Sequence, residues 1–300
     1  MAQEGFVFSR AAKVNVELEQ GEFVEFEGVR LHYLARGEGR PVLLLHGNSG
    51  FAHDFAAVLE TLDASEFRAY AFDRPGHGYS ERPAHDGAMS SQARLLRGAL
   101  SKLGVRRPVL VGHSWGGALA LAYALQFPED VSSLVLLAPA VYPEEDVYAA
   151  QRLLVEIPVL SDLFIRASDT FIRAEIKRNL ERAFSPDALP LEYLQVAESL
   201  WSRPSQVRAF MQDEYGYNPA VELLARRYDK LRVPTLILTG DSDELVKPER
   251  HAYPLHRSME HSGLSVIPAA GHMLPHTRPG AVVKAIRSAC GEVSPAQESL

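Results

Sequence analysis

The sequence predicts an α/β fold: a mostly parallel, doubly wound sheet with an all-helical cap insertion. Three observations predict it. Short apolar runs alternate with helix-period segments from Val24 to Leu137. The alternation stops between residues 140 and 232, where only helical spacing is found. Strand chemistry then resumes at Thr235, directly after Pro234.

The expected strands begin with Val24 to Phe26 and Arg30 to Leu34, a hairpin around Glu27-Gly28. Val42 to Leu45, Ala69 to Phe72, Val109 to Val111, Leu134 to Leu137, Thr235 to Thr239 and Leu264 to Ile267 follow. The middle six of these runs read as unbroken apolar stretches, the pattern of strands buried on both faces. Helices are expected at Phe55 to Leu62, Ser90 to Leu103, Gly117 to Phe127 and Ala281 to Ala289, with Pro128 closing the third.

Within the insertion, Leu153, Leu154, Ile157, Leu163, Phe164, Phe171, Ile172, Ile176 and Leu180 recur at helical spacing, then Tyr193, Leu194, Val196, Leu200 and Trp201. Pro158, Pro186, Pro190 and Pro204 divide the segment into short helices. The expected organisation is a core of residues 20–139 and 233–291, a helical cap at 140–232, an N-terminal extension at 1–19 and a flexible tail at 292–300.

The 300 residues suit one large α/β domain with an insertion, and 46% hydrophobic with 23% charged residues is ordinary globular composition. The net charge of −7 argues against nucleic acid as a partner, because phosphate contacts need a basic face. Cys290 is the only cysteine, so no intramolecular disulfide can form. The first residues carry no unbroken apolar stretch of the signal-peptide kind, and no run approaches the length of a membrane span. A cytoplasmic protein acting on a small molecule, without membrane contact and without a cofactor, is expected.

Gly112-His113-Ser114-Trp115-Gly116 fits the pattern G-x-S-x-G. Alone it is weak, since chance supplies on the order of one match per ten chains of this length. Context strengthens it: an apolar strand at Pro108 to Val111 precedes it, and the strong helix former Ala118 to Leu125 follows. A serine on a tight strand-to-helix turn projects its hydroxyl above the sheet, and the helix N-terminus favours negative charge there. His46-Gly47-Asn48 follows the strand ending at Leu45, and Asp73-Arg74-Pro75-Gly76-His77-Gly78-Tyr79-Ser80 follows the next. With these motifs the chain resembles the α/β-hydrolase family, serine-nucleophile branch, from Phe23 to Ala289. They match its elbow, its H-G oxyanion loop and its D-x-x-G-x-G-x-S loop.

A serine nucleophile needs a base. Of 11 histidines, His272 lies just past the strand Leu264 to Ile267, at the carboxyl edge of the expected sheet. The resemblance implies the same residue, with His276 as its rival. A His272/His276 metal pair is disfavoured by Pro275 and the lack of a third ligand, and no metal is expected. The acid belongs after Thr235 to Thr239, where Asp241, Asp243 and Glu244 crowd. The family pattern G-x-x-D selects Asp243, with Asp241 and Glu244 as alternatives.

The resemblance further implies an oxyanion hole from the N–H groups of Trp115 and Asn48. Many relatives read H-G-x-P where this chain reads His46-Gly47-Asn48-Ser49-Gly50, which puts Ser49 in play as donor or substrate contact. Trp115 is also a candidate wall of the substrate site. His46 is expected to brace its loop, and Asp73 and Ser80 to stabilise the neighbouring turn. Phe164, Phe171, Tyr193, Trp201, Phe210 and Met211 favour an apolar substrate group, although most are expected to be cap core. Arg166, Arg173 and Lys177 are expected on a solvated face.

Serine rather than aspartate at 114 argues against the epoxide-hydrolase and haloalkane-dehalogenase branches. The expected activity is cleavage of a small, largely apolar carboxylic ester or lactone through an acyl-enzyme. Alternatives are a C–C bond hydrolase or a proline iminopeptidase-like amidase on the same triad, a triad-retaining ligand receptor, and a non-hydrolytic enzyme on the same fold.

Overall fold

In the computed structural model, the described residues are 21–83, 87–145, 165 and 167–291. The expected N-terminal extension and tail, and Leu153, Leu154, Ile157, Leu163, Phe164 and Arg166, lie outside them.

The chain opens with a hairpin of β1 (Glu22–Phe26) and β2 (Val29–Arg36). Glu27 and Gly28 both take positive φ, 52° and 75°. A two-residue turn of that kind matches the twist of the strands it joins. The strands β3 (Arg40–Leu45), β4 (Phe67–Phe72), β5 (Val109–His113), β6 (Ser133–Leu137), β7 (Thr235–Gly240) and β8 (Ser262–Ile267) complete one eight-stranded sheet, ordered β1-β2-β4-β3-β5-β6-β7-β8. β1 and β2 are antiparallel to their neighbours and the rest are parallel.

Alternate residues of the central strands enter opposite cores. Leu43, Leu45, Leu110, Leu134 and Leu136 pack with α2 (Met89–Lys102) and α3 (Trp115–Gln126). Val42, Leu44, Val109, Val111, Val135 and Leu137 pack with α1 (Ala56–Thr61) and, after the insertion, with Val282 and Ile286 of the last helix. Burial on both faces is why these strands read as continuous apolar runs. β2 departs from that reading: Arg30 is exposed, and buried His32 is held by Asp73. β8, the last strand of the sheet among the described residues, leaves Val266 41% exposed.

Between β6 and β7 the described residues form α4 (Asp169–Phe184), α5 (Leu191–Trp201) and α6 (Pro204–Ala225), and no strand. Pro204 sits in the first turn of α6, where its missing N–H costs nothing, whereas α6 continues through Pro219. Ile176, Leu180, Phe184, Tyr193, Val196 and Leu200 form a third core with Phe51 and Met273. That core seats the insertion on the loops after β3 and β8. Phe171, placed by spacing on the apolar stripe, is instead 67% exposed. After β7 come α7 (Ala252–Ser258), which packs on β7 and β8, α8 (Leu274–Thr277), and α9 (Pro279–Ala289), which packs on β5, β6 and β7. Among the described residues no helix is long and apolar enough to cross a membrane.

Candidate active site

β5 ends at His113 and α3 begins at Trp115, so Ser114 makes the turn by itself. It has φ 54° and ψ −121°. A side chain is held in such a conformation only when its surroundings over-determine it. Here the Ser114 N–H donates to Leu137 O at 2.9 Å, and its carbonyl accepts from the N–H of Gly117 and Ala140 at 2.8 and 3.1 Å. The turn also demands close backbone approach. A Cβ on Gly112 would lie 2.3 Å from Gly116 O, and one on Gly116 would lie 2.4 Å from Leu45 O.

His272 follows β8 at the same carboxyl edge of the sheet. Three bonds fix it. Its N–H donates to Ala183 O at the end of α4 at 3.1 Å. Its carbonyl accepts from His113 Nε2, the neighbour of Ser114, at 2.9 Å. Its Nδ1 lies 2.8 Å from Asp243 Oδ2. With the proton on Nδ1, facing the carboxylate, Nε2 is left as a bare lone pair.

Asp243 is 3% exposed. Burial pushes its pKa up. The charge and hydrogen bond of His272, with the N–H groups of Val246 and Leu245 on Oδ1, outweigh that and hold it below the usual carboxylate range. The rival carboxylates sit elsewhere. Asp241 Oδ1 accepts from Ser242 Oγ and Ala269 N at 2.8 and 2.9 Å, bracing a turn, and Glu244 is exposed beside Lys247. His276 packs edge-on to Tyr193, with ring centroids 4.6 Å apart. Asp243→Asn is therefore expected to lower kcat by about a thousandfold or more, since an amide no longer selects the right histidine tautomer. Asp241→Asn is expected to stay within about threefold. Steady-state kinetics on the two variants check the pair, and equal losses would refute the assignment of the acid.

The loop after β3 is braced by its own histidine. His46 Nε2 accepts the Arg74 N–H at 2.8 Å, so its proton sits on Nδ1 and is donated to Gly47 O at 2.8 Å. The Ser49 N–H is taken by Asn48 Oδ1 at 3.0 Å, whereas among the described residues no acceptor faces the Asn48 N–H. Gly47 lies against the serine: a Cβ there would be 3.1 Å from Ser114 Cβ and 3.5 Å from its Oγ. The Trp115 ring is buried, with the Arg74 guanidinium 4.0 Å from its centroid. Asp73 accepts from Ala52 N, Tyr79 N and His32 Nδ1, and Ser80 Oγ donates to Asp73 O, so this motif secures its turn. Arg173 and Lys177 pair with Asp169 and Glu181 on the outside of α4.

Several residues of this region carried no separate signal in the sequence. Asp213 and Glu214 of α6 reach back to the core, the first to Arg74, His77, Arg82 and Gln92, the second to Asn48 Nδ2 at 2.6 Å. Tyr193 donates to the buried Asp54 at 2.8 Å. An acidic residue on an amphipathic helix reads as solvent-facing, and only tertiary packing reveals otherwise.

A serine on a strand-to-helix turn and a carboxylate-bound histidine thus stand at the same edge of the sheet. Residues 40–279 match the family described as alpha/beta hydrolase fold, and the chain belongs to that family and is a hydrolase. Human epoxide hydrolase 4 is 25% identical over 279 residues, covering 88% of this chain and 76% of that protein. A 2-hydroxy-6-oxononadienedioate/2-hydroxy-6-oxononatrienedioate hydrolase of Paraburkholderia phymatum is 29% identical over 237 residues, covering 73% of this chain and 76% of that protein. Among solved structures, an esterase from Exiguobacterium antarcticum superposes with a TM-score of 0.73 at 23% identity, covering 90% of this chain and 98% of that one, a likeness of fold.

Proposed function

We propose that the protein is a serine hydrolase that cleaves a small, largely apolar carboxylic ester or lactone through an acyl-enzyme. Ser114 Oγ attacks the carbonyl carbon while His272 Nε2 takes its proton. Asp243 holds the imidazole in orientation and stabilises its positive form. The negative charge passes to the carbonyl oxygen, where the N–H groups of Asn48 and Trp115 meet it at the helix N-terminus. As the tetrahedral adduct collapses, His272 returns the proton to the leaving alkoxide and the bond to it breaks. Water then repeats the sequence, freeing the acid and Ser114. The observation that carries the reading is the Asp243–His272 pair at 2.8 Å, at the sheet edge where Ser114 turns.

Ser114 separates this chemistry from attack by an aspartate, which would form an alkyl-enzyme ester. The 29% identity to a 2-hydroxy-6-oxononadienedioate/2-hydroxy-6-oxononatrienedioate hydrolase supports a second reading on the same triad, hydrolysis of a carbonyl-flanked C–C bond. Labelling with a fluorophosphonate, read by peptide mass spectrometry beside turnover of p-nitrophenyl acetate and butyrate, tests the proposal. A single adduct on Ser114 with loss of turnover is expected. An adduct without ester turnover would favour the C–C reading, and neither adduct nor turnover would refute a working serine nucleophile.

A further inference from the structure

We infer that Asp213, on the insertion helix α6, is a positioning residue for the oxyanion hole, acting through Arg74; the inference rests on the serine-hydrolase reading above. The geometry runs in one chain of contacts. The Asp213 carboxylate is 1% exposed and accepts four hydrogen bonds. Oδ2 takes Arg74 Nη1 at 2.7 Å and His77 Nε2 at 2.9 Å, and Oδ1 takes Arg82 Nη2 at 2.6 Å and Gln92 Nε2 at 3.0 Å. Four donors fill the lone-pair capacity of a carboxylate, so the group is fixed in place.

Arg74 is itself fully buried; Nη1 also donates to Gln92 Oε1 at 3.1 Å, while Nε and Nη2 reach the loop after β3. Nε donates to His46 O at 3.1 Å and Nη2 to Gly47 O at 3.0 Å. The second contact matters most. The Gly47 carbonyl and the Asn48 N–H belong to one planar trans peptide, so fixing the C=O direction fixes the N–H direction opposite to it. The same carbonyl also accepts from His46 Nδ1 at 2.8 Å and Gly50 N at 3.2 Å. A guanidinium on that oxygen polarises the peptide and strengthens the Asn48 N–H as a donor. Without Asp213, Arg74 would lose the carboxylate bound directly to its fork, leaving neutral Gln92 Oε1 as the side-chain acceptor for Nη1. The insertion thus supplies the charge that aims one oxyanion donor. Glu214, the next residue on α6, secures the Asn48 side chain from the same helix.

The test uses a trifluoromethyl ketone, whose carbonyl adds Ser114 Oγ to give a hemiketal with its oxygen in the hole. Asp213→Asn keeps the size and removes the charge. Arg74→Lys keeps a cation for Asp213 and loses the fork that spans both carbonyls. For each folded variant kcat is expected to fall on the order of tenfold to a hundredfold, with KM within about twofold. Affinity for the trifluoromethyl ketone should fall by the same factor as kcat/KM. The double variant should be no worse than about the weaker single one, because both act through the same peptide. If Asp213→Asn does not fold, Arg74→Lys carries the test. Wild-type kcat and inhibitor affinity in a folded variant would overturn the inference, as would a loss confined to KM. A wild-type protein that neither turns over esters nor binds the ketone would instead bring down the serine-hydrolase reading on which it rests.

Discussion

Ser114→Ala is expected to lower kcat by about a millionfold, and His272→Ala by about as much, with the double variant no worse than either alone. Nucleophile and base act as a unit, because the hydroxyl without its base and the base without its hydroxyl are both ineffective. KM should change little, since neither side chain is needed to hold the ground state. Thermal unfolding should separate the loss of chemistry from a loss of fold. The backbone of the turn is held by Leu137, Gly117 and Ala140, none of which depends on Oγ, so Tm is expected within a few degrees of wild type, about 1 kcal/mol or less. A variant that retains a tenth of wild-type activity would contradict these roles.

Acid is expected to destabilise the fold well before carboxylates protonate. Burial depresses the histidine pKa at His46 and to about 4 at His53, His77 and His276. At His113 burial and the neighbouring His272 lower it to about 3. The cation Arg74 adds to the effect at His46 and His77, around the loop after β3. A histidine with a depressed folded pKa stays neutral in the fold while the unfolded chain takes up a proton below about 6.5. Its contribution is therefore complete above about pH 6.5 and lost as pH falls toward the folded value, at about 1.4 kcal/mol per histidine per pH unit at most. Asp54 works in the opposite sense. Burial, opposed by the Tyr193 hydroxyl and the Phe51 N–H, raises it to about 7. Its contribution is present below the unfolded carboxylate value and lost as pH rises through about 7. Between pH 4 and 6.5 it offsets roughly one histidine. The histidines win, so Tm should fall between pH 7 and 5, with net proton uptake on unfolding, and a flat profile would contradict their neutral burial.

What was legible in the sequence follows from what is local. Strand and helix positions are local, because apolar runs at two periods reflect which faces meet a core, and the insertion announces itself where strand runs cease between Leu137 and Thr235. Ser114 is local too, since its glycines and flanking elements lie within a few residues. Asp243 and His272 were legible only as the ends of strands plus a resemblance, because their bond joins residues on different strands. The brace on the loop after β3 was half legible. Arg74 and His77 lie in the motif that begins at Asp73, but nothing marks Asp213 and Glu214 among the exposed acids of a helix. Ser49, left open beside Asn48 as an oxyanion donor, has its N–H occupied by the Asn48 side chain, a local turn that the substitution away from H-G-x-P permits.

In the proposed reaction the acyl group passes through an ester on Ser114. Rapid quenching of wild-type protein during turnover of p-nitrophenyl butyrate, followed by peptide mass spectrometry, tests it most directly. A burst of p-nitrophenol matched by a butyryl group on the peptide containing Ser114 is expected, both lost in Ser114→Ala. Turnover with no butyryl-Ser114 at any quench time, or with the adduct on another residue, would contradict it.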